Sequence, residues 1–595
     1  MNNLTTRYTI VVLSFAIGLL FMLLYGNRSA ITMTIFGSML FIFVFNSFLY
    51  LKKRSLITHS ELLMLITLYL LFGLSRLGSL NVPTTFVYTN AKESATSVIL
   101  ARPSAIDKIC YYVGIDYNSF SIEAKNHHTW KQIYSYTKNY PFSFKWVCAK
   151  VNVNTTDKLL IRPVEHERLL WSTDNDLMLG ELKLFYKGEQ IQFTSPKSAL
   201  FDEQTLPIDT SYLAGAFFDE IYFARTAYEL IHDLPIYENT HPYLGKHLIG
   251  IGIKLFGMTP FGWRFFGTLF AAFIIVVFYY LAFRIFQNSL FALGAAILMT
   301  FGFTHFTQAR LALVDTFGVG FLLLSFYYLY RFMEEQKTKL IVISGLFFGL
   351  AVSIKWSAAF AAVGYLFIAA YLLLSNYPLE SRFRSWRLIA YGIFAYGVIA
   401  GLVYLLGFFD IFLHGGGLHR VIAYNLNMYH YHSTLVASHP YASPWWSWPL
   451  DLKPIGYYKS DDQGMTSTIN LFGNPAIFWM GIVGMFYVAV DFFKKRSIQA
   501  AFILFGFLGL YMPYIFIDRL MFIYHFYYAL PFYMLSILYL FNALHKRFRF
   551  GHYLFAGYLM VVITLFFLFY PVLSGYPIDS TYVQKWLIWL PNWWF

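Results

Sequence analysis

The sequence predicts a polytopic α-helical membrane protein with one inserted β domain. Three observations predict it. Apolar residues fill 58% of the 595 positions and charged residues only 13%, where soluble domains carry about 25% charged residues. Long apolar runs recur at close to the ~20 residues a helix needs to cross a bilayer. One stretch, 82–215, departs from them with short, alternating, strand-like runs. This composition excludes a disordered chain, a disulfide scaffold and an ordinary cytosolic enzyme. The net charge of +13 does not mark a nucleic-acid binder. Its Lys and Arg residues cluster between the apolar runs, as anchors of cytoplasmic loops do.

Taken in order, the runs are 8–25, 31–51, 61–80, 264–283, 289–306, 311–330, 340–354, 357–375, 388–409, 472–490, 498–517, 521–543 and 552–573, about 13 transmembrane helices. No small-residue cleavage site follows the first run, so it reads as a retained anchor. Alternating the sides puts Lys52, Lys53, Arg54, Arg284, Arg331, Lys337, Lys339, Arg382, Arg384, Arg387, Lys494, Lys495, Arg496, Lys546, Arg547 and Arg549 on one face. That face should be cytoplasmic. The expectation is a multi-pass protein of the cytoplasmic (plasma) membrane with its active site on the extracytoplasmic face. Six segments result: two extra N-terminal helices in 1–55, a first core helix in 56–81 and an extracytoplasmic β domain in 82–215. A catalytic outer loop and transmembrane core follow in 216–409, an aromatic and His-rich outer loop in 410–471, and C-terminal helices with an outer tail in 472–595.

Within 82–215, runs such as 147–153 and the hairpin-like 181–193, turning at Lys187-Gly188, suggest a β-sandwich. The two cysteines, Cys110 and Cys148, both fall here. A disulfide is compatible with an oxidising compartment, and two buried thiols are the alternative.

Ionisable residues among apolar sequence at a membrane face are candidates for function. The densest set opens with the adjacent carboxylates Asp219 and Glu220, among Phe217, Phe218 and Tyr222. A half-buried carboxylate there would have the raised pKa of a general base, while acids equally suit a helix N-terminus. His241, Tyr243 and Lys246 follow in HPYLGK. Arg310 opens a span that carries Asp315, and Lys355 interrupts two short runs where the chain must turn outside. Arg519, Tyr524 and His525 mark the outer end of another span. In the 410–471 loop, Trp445 and Trp446 can anchor at the interface or stack on a sugar. His430, His432 and His439 make a weak metal signal, and no metal ligand set is assigned. Acids, cations and aromatics gathered on one face of a hydrophobic body suit a lipid-linked sugar phosphate.

Seven motifs occur in one order: FFDEIYFA, HPYLGK, QARLALVD, SIKWS, HPYASPWWSWPL, FGNPAIFW and RLMFIYHFYYALPF. Over about 217–545 the sequence resembles the protein O-mannosyltransferases of the type-C glycosyltransferase fold, the bacterial members above all. The resemblance implies a polyprenyl-phosphate sugar donor, mannose favoured, and inversion at the anomeric carbon. It assigns Asp219, in the acidic pair with Glu220, as catalytic base, and Glu220 is expected to support the base or acceptor. Arg310, Lys246, Lys355 and Arg519 would meet the donor phosphate. His241, Tyr243, Asp315, Trp445, Trp446, Tyr524 and His525 would line the acceptor or sugar pocket. No cofactor or metal is implied. The partners expected are the lipid bilayer, the polyprenyl-phosphate donor and a protein or glycan acceptor, with no nucleic acid. Protein Ser or Thr is the favoured acceptor. A transferase that modifies a cell-wall polymer or glycolipid is the alternative, and a transporter or lipid flippase is the rival of another class. Departures from the family pattern are the β segment before Asp219, the two spans before the core, and a 410–471 loop too short for the eukaryotic-type domain.

Overall fold

The computed structural model describes residues 60–595, apart from 91–94, 117–118, 127–128, 137–142, 165–175, 195–197, 199, 376 and 385. Its helices are α1 (Ser60–Leu74), α2 (Glu220–Ile231), α3 (Leu244–Phe256), α4 (Pro260–Phe286), α5 (Ser289–Thr300), α6 (Phe303–Ala309), α7 (Asp315–Glu335) and α8 (Thr338–Val352). They continue as α9 (Trp356–Leu374), α10 (Trp386–Leu406), α11 (Leu418–Thr434), α12 (Pro475–Lys495), α13 (Ile498–Phe516), α14 (Leu530–Arg547) and α15 (Gly551–Ser574). The predicted runs 8–25 and 31–51, with Lys52, Lys53 and Arg54, lie outside the described residues. Each of the other runs is helical. Seven helices (α4, α7, α9, α10, α12, α13, α15) are long and apolar enough to cross a membrane. The α5–α6 pair, bent by 55° at Phe301-Gly302, makes an eighth if it is one span.

Two of the about 13 predicted spans thus lie outside the described residues, and of the other eleven three fall short of a full apolar span for local reasons. Helix α1 stops at Leu74, before Arg76 enters a left-handed turn. Helix α8 is only 15 residues long. Run 521–543 divides into a 3-10 stretch and α14, whose end carries His545, Lys546 and Arg547. Where spans do form, caps fix their starts. The Thr259 hydroxyl accepts from the Gly262 N–H at 3.0 Å with Pro260 in the first turn, and Asn474 with Pro475 opens α12 in the same way.

Between α1 and α2 lies one seven-stranded antiparallel sheet of β1 (Val87–Asn90), β2 (Thr96–Asp116), β3 (Ser119–Asn126), β4 (Thr129–Tyr136), β5 (Ser143–Val164), β6 (Asp176–Tyr186) and β7 (Glu189–Gln190). Its order is β1-β6-β2-β5-β3-β4, with β7 on β6. Tyr111 pairs with Val147 and Phe120 with Pro163 of the same strand β5, yet the two rings are 5.2 Å apart. Strand β5 must therefore bend back. The sandwich-like core of Val98, Ile109, Tyr111, Phe120, Leu159 and Leu184 is made by a single sheet folded over itself. Cys110 and Cys148 are direct cross-strand partners on β2 and β5 and are disulfide-bonded. The 187–188 turn has both residues at positive φ, 50° and 85°, as a tight hairpin requires.

The 410–471 segment, to which the sequence assigned no regular structure, holds α11 and a hairpin of β8 (Ile455–Asp462) and β9 (Met465–Leu471). A short β10 (Ile578–Asp579) from the C-terminal segment completes that sheet.

Candidate active site

Phe218 carries a left-handed backbone, φ 51°, with its ring 4.1 Å from that of Tyr457 on β8. A residue other than Gly or Asn in this region costs about 1–3 kcal/mol and persists only where its surroundings hold it. The turn delivers Asp219 to the N-terminus of α2. The backbone carbonyl of Asp219 accepts from Tyr222 and Phe223 at 3.0 Å each. Its side chain makes no capping bond, and among the described residues it has no hydrogen bond or ion pair. Asp219 thus holds the N-cap position of α2, as the alternative reading of this acid expects, but without a capping hydrogen bond from its side chain. The side chain is half-buried. Burial pushes its pKa up, to about 7, against the pull of the Lys355 ammonium and with a further push from Asp315 and Glu238.

The neighbouring Glu220 is fully buried and occupied. It accepts from Arg264 Nε and Nη2 at 2.7 Å each and from the Ala312 N–H at 2.9 Å. Arg264 also donates to the carbonyls of Leu77, Tyr212 and Gly215. The expected support of the base by Glu220 is thus corrected to anchoring: the pair ties α4 to the loop that presents Asp219. The sequence analysis missed Arg264, since nothing in its span signals its partner 44 residues away.

Arg310 is likewise corrected. Its guanidinium donates to five backbone carbonyls, of Phe72, Gly73, Ser75, Arg76 and Ser574. It closes the C-terminus of α1, whose last carbonyls have no helical partner, and is engaged there. It does not pair with Asp315, which instead accepts from Lys355 Nζ at 2.9 and 3.1 Å. Lys246 is fully buried, ion-paired with Glu238, and donates to the carbonyls of Glu238 and His241. It too is withdrawn from the phosphate. Glu238 was not anticipated. Burial alone would raise its pKa, but Lys246 and His241 outweigh this and hold its carboxyl well below the usual range.

Lys355 remains, at the α8–α9 turn, with its ammonium 5.1 Å from the centre of the Tyr524 ring. Arg519 remains as well. Its Nη1 donates to His432 Nδ1 at 2.8 Å, so the proton of that ring sits on Nε2, which donates to the Thr240 carbonyl at 2.8 Å. Burial holds His432 at about 4, neutral at physiological pH. His241 Nδ1 donates to the Glu238 carboxylate at 3.0 Å, and its ring stands edge-on to His432, centroids 5.6 Å apart. One connected set therefore runs from Arg519 through His432, Thr240 and His241 to Glu238, beside the Lys355–Asp315 pair that faces Asp219.

Other predicted pocket residues are placed differently. Tyr243 packs on Phe408 and Tyr424 and lines a separate groove of about 540 Å³ with Asp410 and Arg420. His525 is buried, stacked on Trp448, with Nδ1 bonded to the backbone of Phe522. Trp445 packs against Tyr511, and Trp446 is 54% exposed; neither touches the Asp219 set in the described contacts. Among the described residues, the grouping with metal-ligand spacing is Glu181, Asp202 and Glu203 of the β domain, not the histidines. Glu181 already accepts from the Glu203 N–H.

Comparison with known proteins bears on this arrangement. Residues 240–407 match a family model described as dolichyl-phosphate-mannose-protein mannosyltransferase. Residues 418–593 match one described as the C-terminal four-span region of protein O-mannosyltransferase. A polyprenol-phosphate-mannose–protein mannosyltransferase of Mycobacterium tuberculosis is 26% identical over 456 residues, covering 63% of this chain and 86% of that protein. The protein of that name in Corynebacterium glutamicum is 24% identical over 426 residues, covering 59% and 81%. The fold is shared with a Saccharomyces cerevisiae protein O-mannosyltransferase complex solved with its sugar donor, at TM-score 0.57 and 14% identity, over 64% of this chain and 89% of that one. With both halves of its helical core matched to one family and the fold shared across it, this multi-pass membrane chain belongs to the protein O-mannosyltransferases.

Proposed function

We infer that the chain is an inverting glycosyltransferase that moves mannose from a polyprenyl-phosphate donor to a Ser or Thr hydroxyl of a protein, at the extracytoplasmic face of the plasma membrane. The observation that carries this reading is the carboxylate of Asp219, unpartnered among described residues that are otherwise densely paired. In the proposed step Asp219 takes the proton of the acceptor hydroxyl as its oxygen bonds to the anomeric carbon. The bond from that carbon to the phosphate oxygen breaks, and polyprenyl phosphate leaves. Asp219 then releases its proton to solvent.

Of the four cations expected at the phosphate, Lys355 and Arg519 support the role by position: Lys355, though paired with Asp315, and Arg519, though bonded to His432, border the space at Asp219, whereas Arg310 caps a helix end and Lys246 is enclosed with Glu238. Preorganised charge aimed at a developing anion is commonly the largest catalytic contribution. These two cations can meet the leaving phosphate, so the step requires no divalent metal. His241, Asp315 and Tyr524 surround the same space and would orient donor and acceptor.

The test is transfer of mannose from a purified polyprenyl-phosphate donor to a Ser/Thr peptide in vesicles. Asp219→Asn should lose about 100- to 10,000-fold in rate while remaining folded. Wild-type transfer by that variant, or transfer to glycan but never to peptide, would overturn the reading.

A further inference from the structure

A second polar concavity lies at the opposite end of the helices from Asp219. It has a volume of about 580 Å³ and is walled by the ends of α4, α12, α13 and α14. Three cations, Lys495, Lys546 and Arg547, line it against a single acid, Asp491. That acid is already satisfied. It accepts from Lys495 at 2.7 Å and from the Tyr539 hydroxyl at 2.6 Å. Lys546 and Arg547 have no anionic partner among the described residues. Gln499 and Asn542, also in the wall, make no side-chain hydrogen bond among them. Two unmatched cations and two free amides converge on a hollow made by helix ends.

The hollow also has an apolar approach. Leu269, Phe273, Tyr280 and Phe283 on α4 are 40%, 43%, 39% and 37% exposed. At 3.6 residues per turn these positions fall on one stripe, and Gln287, in the wall of the hollow, continues it. Such a stripe on a spanning helix is covered by acyl chains. A chain laid along it brings its headgroup to Gln287 and the two cations.

We propose that this hollow is a binding site for the phosphate headgroup of an anionic glycerophospholipid of the adjacent leaflet, with one acyl chain along the α4 stripe. Basic pockets between spanning helices on the cytoplasmic side favour such headgroups. Arg547 can hold two phosphate oxygens at once, and Lys546 adds a point charge. A soluble phosphate would use the cations but not the stripe.

The test uses the full chain, purified and reconstituted in zwitterionic phosphatidylcholine vesicles with a trace of phosphatidylglycerol. Retained lipid is read by native mass spectrometry after extraction in mild detergent. Wild type should retain phosphatidylglycerol over phosphatidylcholine. Lys546→Gln with Arg547→Gln should weaken that retention about tenfold or more. Lys494→Gln with Arg549→Gln, which removes equal charge at the same end but outside the hollow, should leave it unchanged. Phe283→Asp should weaken it with the cations intact. Equal retention of both lipids by wild type would overturn the proposal. So would equal loss in the Lys494/Arg549 control, or displacement of phosphatidylglycerol by millimolar inorganic phosphate with no effect of Phe283→Asp. Circular dichroism of each variant separates lost binding from lost fold.

Discussion

Asp219 and Glu220 are adjacent acids, and the structure predicts opposite consequences for neutralising them. In Glu220→Gln the side chain keeps its size and loses its charge. Arg264, 1% exposed, then stays buried with no anion against its Nε and Nη2, which both donate to Glu220 at 2.7 Å. Breaking a buried pair from one side costs about 3–5 kcal/mol. One amide oxygen still accepts, which favours the lower end, about 3 kcal/mol. The assay is thermal unfolding of the purified chain in detergent beside single-turnover transfer by the folded fraction. Glu220→Gln should show a lower unfolding midpoint and retain chemistry in the molecules that stay folded. Adding Arg264→Met should recover only part of the loss, because the carbonyls of Leu77, Tyr212 and Gly215 then lack their donor. Wild-type stability of Glu220→Gln with abolished single-turnover chemistry would refute the anchoring role and return Glu220 to catalysis.

Transfer should depend on pH through Asp219, whose pKa is about 7. Rate should fall about tenfold per unit below pH 7 and level off above it; a flat profile from pH 5 to 8 would exclude Asp219 as base. Stability runs the other way. Burial favours the neutral carboxyl, so its contribution is full below the ordinary 3.8 and is lost as pH rises to about 7. Asp219→Asn should therefore unfold at a higher temperature than wild type at pH 8, by at most about 4 kcal/mol, with the gain vanishing near pH 4. Arg310→Ala should destabilise by about 3 kcal/mol, since it orphans the carbonyls at the end of α1. Adding Asp315→Ala should not restore it, and unchanged unfolding with lost donor-analogue binding would refute this. Reduction of the Cys110–Cys148 bridge, which spans 38 residues, should destabilise the β domain by about 4 kcal/mol on the chain-entropy account. Faster proteolysis within 82–215 under reductant would report it.

The spans were legible because a bilayer imposes one length and one polarity on every helix that crosses it. Asp219 was legible as a carboxylate set among Phe217, Phe218 and Tyr222, whereas its proposed role came from the family resemblance and not from those neighbours. The pairing of charges was not legible. Of four cations near one face, sequence position favoured Arg310 for the phosphate, and the structure assigns Arg310 to a helix end, Lys246 to Glu238 and Lys355 to Asp315. Those assignments depend on which helices touch, and periodicity is silent on that. Glu238 escaped notice because it lies in a polar loop where acids are ordinary. The bend at Gly302 was hidden for a different reason: it is flanked directly by Phe301 and Phe303, and the two helices pass as one apolar stretch when taken together.

The β domain enters the chain just before Asp219 and leaves its mark on that loop. The Ala216 N–H donates to the Phe144 carbonyl on β5, and Gly215 lies so close that a Cβ there would meet that of Lys145 at 2.6 Å. The carbonyls of Tyr212 and Gly215, at the domain's exit, are held by Arg264. The inserted module is therefore no bead on a string that relatives could exchange as a cassette. Excising it would remove one abutment of the turn that carries Asp219. A chimera bearing another protein's domain would need the start of β5, with Phe144 and Lys145, grafted with it. For the same reason, the segment that presents Asp219 is braced from two sides at once, by a backbone hydrogen bond to the sheet and by the guanidinium of Arg264 on α4.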